Sequence, residues 1–208
     1  MNANVERTDV SAMLADLTAV GPEALEKLHV ALEDAAGREG ILDVAYRTID
    51  TPVGTLLLAA TEKGVIRVAY DSEDQALVLE GLAATLSPRI LHAPRRLDAV
   101  AREIDEYFAR RRTGFEVPLD LSLTTGFRRS VLEHLRQIAY GHTRSYADVA
   151  RTVGNPKAAR AVGSACATNP LPVVIPCHRV VRGDGTLGGY VGGLAAKSAL
   201  LDLETAAA

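Results

Sequence analysis

The sequence predicts an α+β chain: an N-terminal α/β domain built on an antiparallel strand meander, followed by a helical domain with a helix-turn-helix. Three observations carry this. Between residues 43 and 70, three short apolar runs are separated by glycine-bearing turns. Between 97 and 111, apolar residues recur at helical spacing. Between 145 and 168, two short helical patterns flank a turn containing glycine.

Residues 1–40 read as a helical extension. Val10, Met13, Leu14 and Leu17 fall at helical spacing. Gly21-Pro22 restarts a helix, with proline suited to the first position. Leu25, Leu28, Leu32 and Ala35 form its apolar stripe, and Gly37 and Gly40 end it. Strands follow over 43–50, 55–61 and 65–70, then helices over about 72–86 and 97–111. Leu97, Val100, Ile104 and Phe108 share one face of the second helix. The segment LDLSLTTG, 119–126, reads as a linker. The expected divisions are therefore 1–40, 41–120 and 121–208.

In the third part, Thr125 is placed to cap a helix bearing Phe127, Val131, Leu135 and Ile138, ended by Tyr140-Gly141. Ser145 caps the next, with Asp148 at capping-box spacing, and Gly154 stops it. Asn155-Pro156 opens a further helix that runs to about Thr168. Ala158, Ala161, Val162 and Ala165 are expected inside. Lys157, Arg160, Gly163, Ser164 and Ala167 are expected outside. A surface of small residues and a few cations suits close, sequence-neutral approach to a nucleic-acid backbone, through the minor groove. An ordinary alanine-rich packed helix has the same composition.

The bulk numbers fit a globular protein. The chain has 208 residues, 48% apolar and 24% charged, room for one large domain or two small ones. No apolar run reaches the length of a membrane span, and the first residues lack a secretory pattern. A cytoplasmic protein follows as the expectation. The net charge is −3, but the average hides an asymmetry. Between Gly126 and Arg182 the acids are only Glu133 and Asp148, against Arg128, Arg129, Arg136, Arg144, Arg151, Lys157, Arg160, Arg179 and Arg182. Such a half is a hint of nucleic-acid contact, or a solvated basic face.

Two cysteines, Cys166 and Cys177, form neither a CxxC pair nor a zinc-ligand cluster. In a reducing compartment both are free thiols. Cys177 ends the apolar run VVIP and is followed directly by His178. A nucleophilic cysteine needs thiolate character from a neighbouring base or cation. His178 supplies a base acting through a water or a backbone turn, and Glu204 is the candidate to hold its tautomer. A buried structural cysteine is the competing reading. The glycine-rich loop around Tyr190, 182–193, either brings backbone groups close to a flat ligand or is a flexible surface loop.

Taken together, residues 146–204 resemble the O6-alkylguanine-DNA alkyltransferases, the methylated-DNA–protein-cysteine methyltransferases. The stretch NPKAARAVG, the pair Asn169-Pro170, the box PCHRV and the loop Gly189-Tyr190-Val191-Gly192-Gly193 stand in that family's order and spacing. The likeness extends more loosely back to Asp43 and does not cover 1–40. It implies a ribonuclease H-like N-terminal domain and a winged-helix-like C-terminal one. It also implies a once-acting, monomeric repair protein for double-stranded DNA containing O6-alkylguanine, with no cofactor and no metal. By the resemblance, Cys177 is the alkyl acceptor, His178 its base through a water, and Glu204 the residue orienting that base. Asn169 stabilises the turn beside the cysteine, and Tyr146 donates a proton to the departing guanine. Arg160 fills the gap left by the extruded nucleotide, with Lys157, Ala159, Gly163 and Ser164 on the same DNA-binding element. Val180, Tyr190 and Val191 form the guanine pocket.

The chain departs from the family's pattern at Leu132, where many relatives carry tryptophan, and at Ala139, where many carry proline. Both are packing or turn positions. The zinc-binding cysteines of some relatives have no counterpart, so methylphosphotriester repair is not expected. Cys166 reads as a packing residue, with a second acceptor as the alternative. Two other functions compete. A helix-turn-helix regulator without chemistry leaves Cys177-His178 unused, and a cysteine hydrolase leaves the basic helix unused.

Overall fold

The computed structural model describes residues 21–205. The helix expected over Val10 to Leu17 lies outside them. The chain divides into two compact units, 1–41 and 42–208. In the first, helix α1 (Pro22–Arg38) starts after Gly21 with proline in its first turn, as expected. Its stripe differs from the expected one. Leu25, Leu28 and Leu32 are exposed, while Glu33 and Ala36 are buried. The spacing gave the helix but not the face it hides. Gly37 lies inside α1, and Gly40 follows it at φ 64°.

The second unit opens with the meander: β1 (Val44–Thr51), β2 (Gly54–Thr61) and β3 (Gly64–Tyr70), paired antiparallel. A fourth strand, β4 (Ile90–His92), pairs parallel to β1, giving the order β3-β2-β1-β4. At three residues it is too short to carry a periodic signal. Strand alternation sends Leu57, Ala59 and Val44 to one face, where they pack with Leu82 of α2 (Gln75–Thr85). Asp74, at φ 54°, caps α2 with its carboxylate, so that helix starts later than expected. The opposite face holds Leu58 beside Arg47, which donates to Pro94 O and pairs with Asp98 at the start of α3 (Asp98–Phe108). Leu97, Val100 and Ile104 are buried there, as expected, but the buried aromatic is Tyr107 rather than Phe108. That choice turns out to matter for the site.

The expected linker is part of the core. Val65 bridges Leu119, Asp120 accepts from Thr61 at 2.7 Å, and Thr124 is buried against Leu121 O. The polar residues that mark it as a loop satisfy buried backbone and side-chain groups instead. The same contact explains Gly64. Its φ is 137°, and a Cβ there would lie 2.2 Å from Pro118 O. One more bond, from Val68 N to Pro170 O at 2.8 Å, joins β3 to the C-terminal half.

That half comprises α4 (Gly126–Leu135), β5 (Arg144–Ser145), α5 (Tyr146–Thr152), α6 (Ala159–Ala167), β6 (Val180–Val181) and α7 (Gly193–Thr205). Thr125 occupies the cap position of α4 without a side-chain bond, and Ile138 packs in the turn after it. Leu132 is fully buried, so an aliphatic side chain fills that core position. Ser145 and Asp148 form the expected capping box. Asn155-Pro156 does not start α6. Ala158 N bonds Asn155 O in a turn, which delays the helix to Ala159. Val162 and Ala165 are inside as expected, with Cys166 beside them and Ala158 partly buried, but Ala161 is exposed. No helix among the described residues is long and apolar enough to cross a membrane.

Gly64→Ala is expected to lower the unfolding free energy by about 2 kcal/mol or more, because strain and a backbone clash act together. Gly54→Ala, at φ 107° with open space around it, suffers only the strain. Urea denaturation of both variants checks the difference.

Candidate active site

The site is built on two side chains that clasp a turn. Residues 171–175 form a tight buried loop, closed by Ile175 N to Leu171 O at 2.7 Å, with Val173 at φ 71°. A β-branched residue rarely adopts that conformation. Asn169, itself buried, holds it: Oδ1 accepts from Leu171 N, and Nδ2 donates to Ile175 O at 3.0 Å. The same Nδ2 lies 3.1 Å from Cys177 Sγ. One amide thus ties both ends of the loop to the cysteine. Cys177 begins a single 3₁₀ turn, Cys177–Arg179, which carries His178 round to a second acceptor.

That acceptor is Glu204 on α7, 1% exposed. His178 Nε2 lies 2.9 Å from Oε1. Tyr107 donates to Oε1 at 2.7 Å, Arg179 contributes Nη2 at 2.8 Å and Nε at 2.9 Å, and Gly141 N reaches Oε2 at 3.1 Å. Burial pushes the carboxyl up, but the bonds from His178, Arg179 and Tyr107 outweigh it and bring the carboxyl down to about 2. Glu204 is therefore ionised and accepts only. It follows that His178 carries its proton on Nε2 and offers the lone pair of Nδ1. That Nδ1 is buried and has no hydrogen-bond partner among the described residues. Burial lowers the basicity of His178 against the opposing pull of Glu204, so the ring is neutral at rest.

Cys177 is neutral too. Burial raises its thiol to about 11, with the Asn169 bond and the Lys197 charge pulling the other way. Lys197 is fully buried on α7 and donates to Val180 O at 2.6 Å. Its ammonium stands 6.0 Å over the ring of Tyr146. Tyr146, half buried, fits against the glycine loop: a Cβ on Gly188 would meet its hydroxyl at 2.2 Å. Tyr190 stands edge-on to His178, 6.3 Å between centroids, and its hydroxyl is 3.1 Å from that of Tyr70 on β3. Val180 is buried and Val191 partly so.

Of the predicted residues, Cys177, His178, Glu204, Asn169, Tyr190 and Tyr146 thus cluster around the 3₁₀ turn and the glycine loop. Lys157, Arg160 and Ser164 lie apart from the bonded network, exposed on α6 and the turn before it, with Ala159 and Gly163 partly covered. Gly163 backs onto the ring of Tyr146, 3.9 Å from where its Cβ would stand. Among the described residues, Lys157, Arg160 and Arg182 form no ion pair, whereas Arg129 and Arg151 pair with Glu133 and Asp148. No group of three or more metal-ligating side chains occurs among the described residues.

Comparison with known proteins decides the family. Residues 44–121 match the ribonuclease-like domain of 6-O-methylguanine DNA methyltransferase, and residues 126–206 match its DNA binding domain. The chain is 40% identical to the methylated-DNA–protein-cysteine methyltransferase of Mycobacterium tuberculosis, over 77% of this chain and 92% of that one. The chain belongs to the methylated-DNA–protein-cysteine methyltransferase family. It is 41% identical to the bifunctional transcriptional activator/DNA repair enzyme Ada of Escherichia coli, over 78% of this chain, and spans 46% of that protein's length. The crystal structure of Mycobacterium tuberculosis OGT in complex with DNA superposes with a TM-score of 0.69 at 38% identity, covering 79% of this chain and 94% of the other.

Three residues of the candidate site escaped the sequence reading. Arg179 read as one more cation of the basic half, whereas Lys197 was legible as an anomaly: with Leu200 and Glu204 it shares the buried stripe of α7, where two charges have no reason to sit without partners. Tyr107 left no such sign, because its partner is 97 positions away.

Glu204 predicts an acid dependence. Its folded value is depressed, so its stabilisation is present above the ordinary glutamate value near 4.5 and is lost as pH falls through about 2. Stability of the natural protein should decline more steeply over that window than that of Glu204→Gln, measured by urea unfolding at successive pH values.

Proposed function

We propose that this protein repairs DNA by moving the alkyl group of O6-alkylguanine to Cys177, once per molecule, and restores guanine. The observation that carries the proposal is the neutral Cys177 and His178 pair, with Nδ1 of the histidine unpartnered and Nε2 held by an ionised Glu204. It supports a proton transfer timed to the reaction. The thiol proton passes to Nδ1, directly or through water, as Sγ attacks the alkyl carbon. The carbon–O6 bond breaks and its electrons leave with guanine. Tyr146 protonates the departing base, and the proton from His178 restores the phenol. Asn169 and Lys197 offset the charge that develops on sulfur.

The O6 atom lies within the base stack, so the nucleotide must leave the duplex at a cost of a few kcal/mol. Arg160 is assigned to fill the gap, while Lys157, Ala159, Gly163 and Ser164 meet the backbone. Val180, Tyr190 and Val191 receive the base. A relative crystallised with DNA supports DNA as the partner. In this reading 41–120 is the scaffold, 121–208 carries DNA and the alkyl group, and 1–40 is an extension. The protein acts as a monomer in the cytoplasm, where thiols stay reduced. The product thioether has no polarised carbonyl for water to attack, which favours single use over hydrolase turnover.

Intact-mass analysis after mixing with a duplex containing one O6-methylguanine should give one added methyl, mapped to Cys177, stopping at one equivalent and absent in Cys177→Ser. Bound but unaltered DNA would overturn the reaction. For Arg160→Ala, transfer from duplex should slow by roughly tenfold to a hundredfold, reflecting a few kcal/mol of unstacking. Reaction with free O6-methylguanine base should be unaffected. Single-turnover kinetics on the two substrates separate base extrusion from chemistry.

A further inference from the structure

The α/β half sends one polar side chain directly onto the carboxylate that holds His178. Tyr107, near the end of α3, is fully buried among the rings of Phe108, Phe115 and Tyr140, at 5.4, 5.4 and 5.9 Å between centroids. Phenylalanine would satisfy that packing and would bring no polar atom into it. The hydroxyl is instead placed on Glu204 Oε1 at 2.7 Å and lies 3.5 Å from His178 Nε2. We infer that Tyr107 is a positioning residue for alkyl transfer: its hydroxyl shares Oε1 with His178 and so sets how strongly Glu204 draws on the imidazole. The inference rests on the alkyl-transfer chemistry proposed above.

Oε1 accepts from Tyr107, His178 and Arg179. Each donor takes up part of the carboxylate's charge. Without the phenol, more of that charge falls on the Nε2–H bond, which favours the imidazolium. His178 faces Glu204 and Lys197 on α7, Cys177 and Arg179 on its own turn, Tyr190 on the glycine loop and Tyr107 on α3. Arg179 and Lys197 disfavour protonation, and Glu204 favours it. Tyr107 tempers Glu204 without adding a charge. A ring that is too basic would collect a proton from solvent, and Nδ1 could no longer take the one from Cys177. The phenol also fixes the angle at which Oε1 meets Nε2, because its own ring is locked by three aromatic neighbours.

The test is Tyr107→Phe, which keeps the ring and deletes the hydroxyl. The His178 titration is followed by NMR on ring-labelled protein without DNA, and the single-turnover rate of methyl transfer from an O6-methylguanine duplex is measured across pH. Both the titration midpoint and the acid limb of the rate should move upward by about half a pH unit to one unit. Site-specific 3-fluorotyrosine at 107, a stronger donor, should move both downward. If Tyr107→Phe does not fold, the fluorotyrosine protein decides alone. A thermal midpoint that changes while the His178 titration stays put would make Tyr107 a packing residue and overturn the inference. A shifted titration in a protein that transfers no methyl group would leave the coupling standing and sink the repair chemistry instead.

Discussion

Glu204 places an ionised carboxylate at 1% exposure where four parts of the chain meet: α7, the 3₁₀ turn, the loop after α4, and α3 of the α/β half. Removing a carboxylate from water costs several kcal/mol unless its lone pairs are filled with good geometry. Here the donors come from segments far apart in sequence, so compensation exists only when all four are docked. The demand works in both directions. The packing of the two halves fills the carboxylate, and the filled carboxylate fixes the tautomer and orientation of His178. The candidate site is therefore a property of the assembled fold, and the α/β half is part of it. Arg179 adds a second tie through Ile138 O at 2.6 Å, which locks the turn after α4 to the same carboxylate.

What was legible in the sequence divides along a physical line. Local signals worked. The three strands, the Ser145–Asp148 capping box and Pro22 at the start of α1 are decided within a few residues, and they stand where expected. The family was legible for a different reason: a resemblance carries long-range information that periodicity lacks. Where the outcome depended on a distant partner, reading failed. LDLSLTTG has the composition of a linker, yet Asp120 and Thr124 are buried, Asp120 against Thr61 of β2 and Val65 of β3. Asn155-Pro156 failed for a local reason: the same residues that suit a helix start also suit a turn, and the chain closes one there from Ala158 N to Asn155 O. Phe108 and Tyr107 are adjacent and both aromatic. Only the polar partner on α7 explains why Tyr107 is the one turned inward.

The cations show a similar sorting. The chain is acidic on average, at −3, and several of its arginines are consumed by structure: Arg47 with Asp98, Arg67 with Glu73, Arg112 with Glu103 and Glu106, and Arg179 with Glu204. Lys157, Arg160 and Arg182, around α6 and the glycine loop, have no such partners among the described residues. Cations outside ion pairs, next to small side chains, leave positive charge available to an approaching anion. This suits contact with a phosphate backbone through charge and shape, with little in the way of long polar side chains to read bases. Sequence-neutral binding is what a lesion that occurs anywhere requires.

The neutral resting state of Cys177 fits the same logic of use. A preformed thiolate would be the stronger nucleophile, but it would also be the form open to oxidation and to any electrophile that reached it. Burial lifts the thiol to about 11, and burial also keeps His178 unprotonated. The stable pair is thus thiol and imidazole; in the proposed reaction, thiolate and imidazolium arise as the alkyl carbon is engaged. Asn169 and Lys197 reduce the cost of that charge separation without abolishing the resting preference. Under the proposed chemistry the acceptor is used once, so a sulfur that stays unreactive until a base is bound protects function more than a faster intrinsic nucleophile would.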